Sequence, residues 1–171
     1  MEYQRNMNLA IFDIDGTLTN TNGVDNECFV KALAEAHAIT EIDTDWATYP
    51  HTTRESALMK LRAAKIDIDG VPAAYAEDGL SREEILQAAV SQSLEQYPLR
   101  SFGKIVSIGD GLWDVRTARR LNFTFLGVGC GKSAAMLHQA GAKHVIENFA
   151  DYGQLVRFLN EAEVPTVECF R

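Results

Sequence analysis

Leu9-Ala10-Ile11-Phe12 is a short unbroken apolar run that stops at Asp13-Ile14-Asp15-Gly16-Thr17. That is the pattern of a strand buried in a parallel sheet with a loop at its carboxyl end. Thr19-Asn20-Thr21-Asn22-Gly23 is turn chemistry. Beyond it Asp25 is placed to cap a helix whose Phe29, Val30, Leu33 and Ala34 form one apolar stripe. Residues 39–53 show no period and read as loop. A second helix is expected from about Glu55 to Lys65, with Leu58 and Leu61 facing inward. Val71 to Tyr75 is a weak strand that Pro72 confines to an edge. Ser81-Arg82-Glu83-Glu84 is a capping box opening a helix through Ile85, Leu86, Ala89, Val90 and Leu94.

From Lys104 onward the alternation is regular. Strands are expected at Lys104–Ile108, Phe123–Val128 and His144–Ile146, with helices at Trp113–Leu121, through Ala135, Leu137 and Gln139 after the Gly129-Cys130-Gly131 turn, and at Tyr152–Asn160. Strands alternating with helices, the strands largely apolar, specify an α/β fold: a Rossmann-like parallel sheet with helices on both faces. No repeat, low-complexity stretch or linker divides the chain, so residues 1–171 read as a single domain. One gap stands out. Between Ile14 and Lys104 only the Val71–Tyr75 run offers a core strand, where a sheet of this type would normally have two.

Composition narrows the function classes. At 46% hydrophobic and 23% charged, the 171 residues match an ordinary globular protein and exclude wholesale disorder. Sixteen Lys+Arg against 24 Asp+Glu leave a net charge of −8 and a pI near 5.0. An acidic surface of that size repels phosphate backbones, so nucleic acid is not an expected partner. A small phosphate ester whose charge is met by a metal is compatible with it. No apolar run approaches the roughly 18 residues of a membrane span, and Met1 to Asn8 has no signal-peptide character. No membrane association and a cytoplasmic location are the expectations. Cys28, Cys130 and Cys169 are odd in number and widely spaced, which suggests free thiols rather than a disulfide framework or zinc site.

The chemistry gathers at one edge. Ligands of a parallel α/β sheet bind beyond the carboxyl ends of its strands, and two strands end there in carboxylates: Asp13 and Asp15 after the first, Asp110 and Asp114 after the Ile105 strand. Period-2 alternation aims Asp13 and Asp15 at the same volume. Taken alone, Asp114 reads as a residue of the first helical turn and Asp110 as part of a glycine turn. Four carboxylates together would repel unless a hard cation neutralised them, and Mg2+ is the natural choice.

Asp13-Ile14-Asp15-Gly16-Thr17-Leu18-Thr19 after an apolar strand resembles the first signature motif of the haloacid dehalogenase-like hydrolase superfamily. Ile108-Gly109-Asp110-Gly111-Leu112-Trp113-Asp114 resembles its fourth. The likeness covers the first 37 or so residues and nearly everything after Glu55. It implies a haloacid dehalogenase-like core with a reduced helical cap, and phosphoryl transfer through a covalent aspartyl phosphate. By that resemblance Asp13 is the nucleophile and Asp15 the general acid and base. Magnesium would be held by Asp13, the backbone carbonyl of Asp15, Asp110 and Asp114. Gly16, Thr17 and Gly111 would lie against a small phosphorylated substrate. Members that cleave carbon–halogen bonds lack the second aspartate, so Asp15 favours a phosphatase or phosphotransferase over a dehalogenase.

The superfamily also uses a Lys or Arg and a Ser or Thr around the phosphate. Arg82 is the expected cation, and Lys104 is the competitor, which starts a strand and so belongs to the opposite edge. For the hydroxyl, Thr52 and Thr53 are in about the right place, although no good core strand precedes them. Residues 20–53 would be a residual cap, with an internal shortening near residues 46–54. His51, Trp46 and Tyr49 are further candidates beside the site. Gly129-Cys130-Gly131-Lys132-Ser133 is an imperfect phosphate-loop pattern and reads as a strand-to-helix turn. Two functions follow: a magnesium-dependent hydrolase of small phosphate monoesters, or a related magnesium- and phosphate-binding or regulatory module with impaired turnover. A phosphoacceptor receiver domain is more distant, because its acceptor lies in mid-chain.

Overall fold

The computed structural model describes residues 7–41, 52–97 and 99–166. Cys169, and Trp46, Tyr49 and His51 with most of the proposed shortening, lie outside them. The elements are β1 (Asn8–Phe12), α1 (Asn22–His37), α2 (Arg54–Ala63), a single 3-10 turn (Ala76–Asp78), α3 (Arg82–Gln96), β2 (Lys104–Gly109), α4 (Leu112–Leu121), β3 (Thr124–Val128), α5 (Gly131–Gln139), β4 (His144–Ile146) and α6 (Tyr152–Glu161). The sheet is wholly parallel in the order β1-β2-β3-β4, the expected α/β class.

Strand alternation sorts the core into two layers. Val106, Ile108, Leu126, Val128 and Ile146 point to one face, where Leu155, Phe158 and Leu159 of α6 cover them. Phe125 and the partly buried Val145 point the other way, against Val115 and Ala118 of α4 and Leu137 of α5. Helices therefore flank both faces. Contact with β1 and α4 brings α3 to the start of the sheet.

The Val71–Tyr75 strand does not form. These residues belong to no strand, and the chain passes through them into the 3-10 turn. Proline removes a backbone donor, and Val71, 56% exposed, gains no core contact to compensate. Among the described residues β1 is consequently an edge strand, and Phe12 is 37% exposed and packs edge-on against Phe149.

Asp25 is not the cap of α1. Thr21 occupies the N-cap position, and Asp25 falls in the first turn. Ser81 does cap α3, its Oγ accepting from Glu84 N–H at 3.2 Å, while the Glu84 carboxylate accepts from Leu80 N–H rather than closing the reciprocal bond on Ser81.

At the amino-terminal ends of the strands, Lys104 donates to the carbonyls of Asn160 and Ala162 at 2.6 and 3.1 Å, and Arg119 Nε donates to Pro165 O at 3.0 Å. These bonds fasten the segment after α6 under the sheet and place Lys104 away from the acidic edge.

Candidate metal centre and acidic site

The parallel ladder assembles the site. Phe12 pairs with Ile108 in register, and Asp13 N–H donates to Ile108 O at 2.9 Å. Asp13 therefore leaves β1 beside the Gly109-Asp110-Gly111 turn that ends β2. Asp114 stands in the first turn of α4 and folds back, its Oδ2 accepting from Gly111 N–H at 3.0 Å. Gly109 makes that return possible, because a Cβ there would lie 2.4 Å from Asp114 Oδ2. Asp13, Asp110 and Asp114 each present a carboxylate oxygen, all within 4.8 Å of one another.

The electrostatics of this trio are unfavourable without a counter-charge. Burial pushes the Asp13 carboxyl well above the usual carboxylate range, with Asp114, Asp110 and Asp15 adding to the rise and Arg82 opposing it. Burial likewise pushes Asp114 up to about 7, against the lowering influence of Arg82 and the Gly111 N–H. Arg82, at the start of α3, answers part of this charge. Its Nη1 lies 3.4 Å from Asp114 Oδ1, and its guanidinium carbon sits 5.3 Å from the Trp113 ring centroid. A donor set made only of carboxylate oxygens, crowded and proton-retaining, fits a hard divalent cation.

Asp15 is elsewhere. The expectation that it would share a volume with Asp13 fails because the extended conformation ends at Phe12. The Ile14 carbonyl accepts from Leu18 and Thr19 N–H, and Gly16 turns the chain at φ +84°, a conformation glycine adopts without penalty. The Asp15 side chain is thereby directed at α1 and α2. Thr21 donates to its Oδ1 at 2.7 Å, Thr52 to its Oδ2, and the Lys60 ammonium reaches both oxygens at 2.8 and 2.9 Å. Burial favours the protonated acid, but the bonds from Lys60, Thr52 and Thr21 outweigh it and hold the Asp15 pKa below the usual value.

The remaining expected residues divide. Thr52 reaches Asp15, whereas Thr53 is the N-cap of α2 and accepts from Ser56 N–H at 3.4 Å. Thr53 accordingly secures a helix end. Thr17 is 8% exposed, and its hydroxyl has no hydrogen-bond partner among the described residues. Gly111 is the N-cap of α4, packed under the Trp113 indole.

Lys60 escaped the sequence reading. Its signal was present: it stands three residues after Ala57 and directly before Leu61, which are 0% and 2% exposed. A lysine on that inward face needs a buried acidic partner. It has two, since its Nζ also donates to Asp25 Oδ2 at 2.7 Å.

No protein-family model matches the chain, and no curated protein matches it. Among solved structures it is similar to one described as the crystal structure of a hydrolase from Pseudomonas syringae. The two share 20% identity over 91% of this chain and 99% of that one, with a TM-score of 0.42. At that identity and score the likeness assigns neither family nor activity.

Proposed function

We propose that this chain is a magnesium-dependent hydrolase of small phosphate monoesters that works through a phosphorylated Asp13. The observation that carries the reading is the convergence of Asp13 from β1 with Asp110 and Asp114 from the β2–α4 turn, beside the guanidinium of Arg82. The resemblance of the two acidic motifs to those of haloacid dehalogenase-like hydrolases supports it. Asp13, Asp110 and Asp114 would hold the ion, which when bound supplies neutralising charge between nucleophile and phosphoryl group.

In the first step an Asp13 oxygen forms a bond to phosphorus as the ester P–O bond breaks, and the leaving oxygen takes a proton from water, since the bonds from Lys60, Thr52 and Thr21 keep Asp15 ionised. In the second step water attacks phosphorus, Asp15 takes its proton, and the bond to Asp13 breaks to release inorganic phosphate. Arg82 steadies the phosphoryl oxygens and offsets the charge of Asp114.

Release of p-nitrophenol from p-nitrophenyl phosphate tests this directly. Turnover should require magnesium, fall under EDTA, and drop by about 10³-fold or more in Asp13→Asn. Release that persists in Asp13→Asn, or no release from any ester tried, overturns the reading. The latter result would favour a magnesium- and phosphate-binding module without turnover. One observation supports that second reading: the Thr52 hydroxyl donates to Asp15, so that proton is not offered to a phosphate.

A further inference from the structure

We propose that Lys60 is a positioning residue for Asp15, an electrostatic tether that sets the orientation of this carboxylate from α1 and α2, two of the helices lying between the acidic motifs. The proposal rests on the phosphatase reading for its catalytic consequence. Three features of the geometry carry it.

Lys60 is inward-facing and little exposed: 12% of its side chain meets solvent, against 21% for Asp15 and 29% for Asp25. Its ammonium straddles both oxygens of Asp15 and is itself held by Asp25. An ammonium has three donors, and here all three bonds go to carboxylate oxygens. The contact also spans the fold. Asp15 belongs to the loop after β1, Asp25 to α1 and Lys60 to α2, so one side chain ties three segments together.

Thr21 and Thr52 complete the cage, and Thr19 extends it, its Oγ1 lying 3.0 Å from the Thr21 hydroxyl. A carboxylate with both oxygens engaged on several sides has one accessible rotamer, and proton transfer demands such control of direction. Without the ammonium, the two hydroxyls alone would leave Asp15 free to swing into solvent. Lys60 touches neither the trio of Asp13, Asp110 and Asp114 nor a group expected to meet the phosphate, so its influence runs through Asp15.

Two measurements on the full-length protein test the tether. The first is a double-mutant cycle in thermal unfolding over Lys60→Met, Asp15→Asn and the double variant. Coupling should leave the double variant well short of the summed single shifts in Tm. An additive cycle overturns the tether whatever the activity.

The second is steady-state kinetics with magnesium and p-nitrophenyl phosphate. Lys60→Met should lower kcat about tenfold or more with KM within about twofold. Lys60→Arg should recover most of the loss, and Lys31→Met, at an exposed lysine on α1 that pairs with Glu35, should change neither. An unchanged kcat in Lys60→Met, or a loss confined to KM, overturns the positioning role. An inactive wild-type protein with a coupled cycle overturns the phosphatase reading and still supports the tether. Should Lys60→Met fold poorly, Asp25→Asn removes the anchor alone and should give a smaller kcat loss of the same kind; no loss overturns the proposal.

Discussion

The aspartates were legible one by one because their chemistry is local: an apolar strand ending in Asp13 and a Gly-Asp-Gly turn ending another strand announce where charge meets a sheet edge. The direction of each side chain was not legible. Period-2 alternation would have paired Asp13 with Asp15, but turn bonds to the Ile14 carbonyl interrupt it within two residues. The partners of Lys60 were hidden for a related reason, since they stand 45 and 35 positions away.

Gly109 offers the sharpest test at this scale. Gly109→Ala puts a methyl group 2.4 Å from Asp114 Oδ2, and the carboxylate must move. We expect a loss of about 1–3 kcal/mol in denaturant unfolding from overpacking. The rise in Tm expected on adding magnesium should be absent in this variant, because one of the three carboxylates no longer converges.

Among the elements, everything from β2 to α6 follows the sequence pattern to within a residue or so, because each strand is buried on both sides and each helix shows an apolar face to it. The region from Ile14 to β2 is less legible. Its helices α1, α2 and α3 were anticipated, but the Val71–Tyr75 strand was an error of propensity, since Pro72 and the exposure of Val71 leave pairing without reward.

α3 matters beyond packing, for it carries Arg82 in its first turn. Ser81→Ala removes the hydroxyl that accepts from Glu84 N–H and should cost about 1 kcal/mol of stability. Fraying of that turn should loosen Arg82 as well. Phosphate or vanadate should then bind several-fold more weakly in a calorimetric titration, while magnesium affinity changes little.

For the molecule as a whole, the acidic trio sets how stability answers to pH. A carboxyl raised from its ordinary value favours the folded state at low pH, and that advantage fades as pH climbs through the folded pKa. Asp114, raised to about 7, and Asp13, raised well above the usual range, both act in this sense. Without metal, Tm should therefore fall as pH rises from about 5 to 8. A divalent cation such as the proposed magnesium would bind the ionised forms, so its stabilising increment should grow over the same interval. Differential scanning fluorimetry at matched ionic strength, with EDTA or with magnesium, measures both slopes; a magnesium increment that shrinks as pH rises would contradict the assignment of these groups as ligands. No described helix is long and apolar enough to cross a membrane.

The placement of β1 at the rim of the sheet gives a divalent ion a mechanical task as well as a chemical one. Among the described residues this strand is zipped to one neighbour only, while β2 and β3 each have two. An ion shared between Asp13 and the pair beyond β2 would act as a rivet, fastening the loose end of the ladder at its final rung. Amide hydrogen exchange should register this as slowing concentrated in residues 9–13 when magnesium is added, with β3 scarcely altered. Occupancy of the ion site and order of β1 would then rise and fall together, so that Asp13, the proposed nucleophile, is held still only when its counter-ion is present.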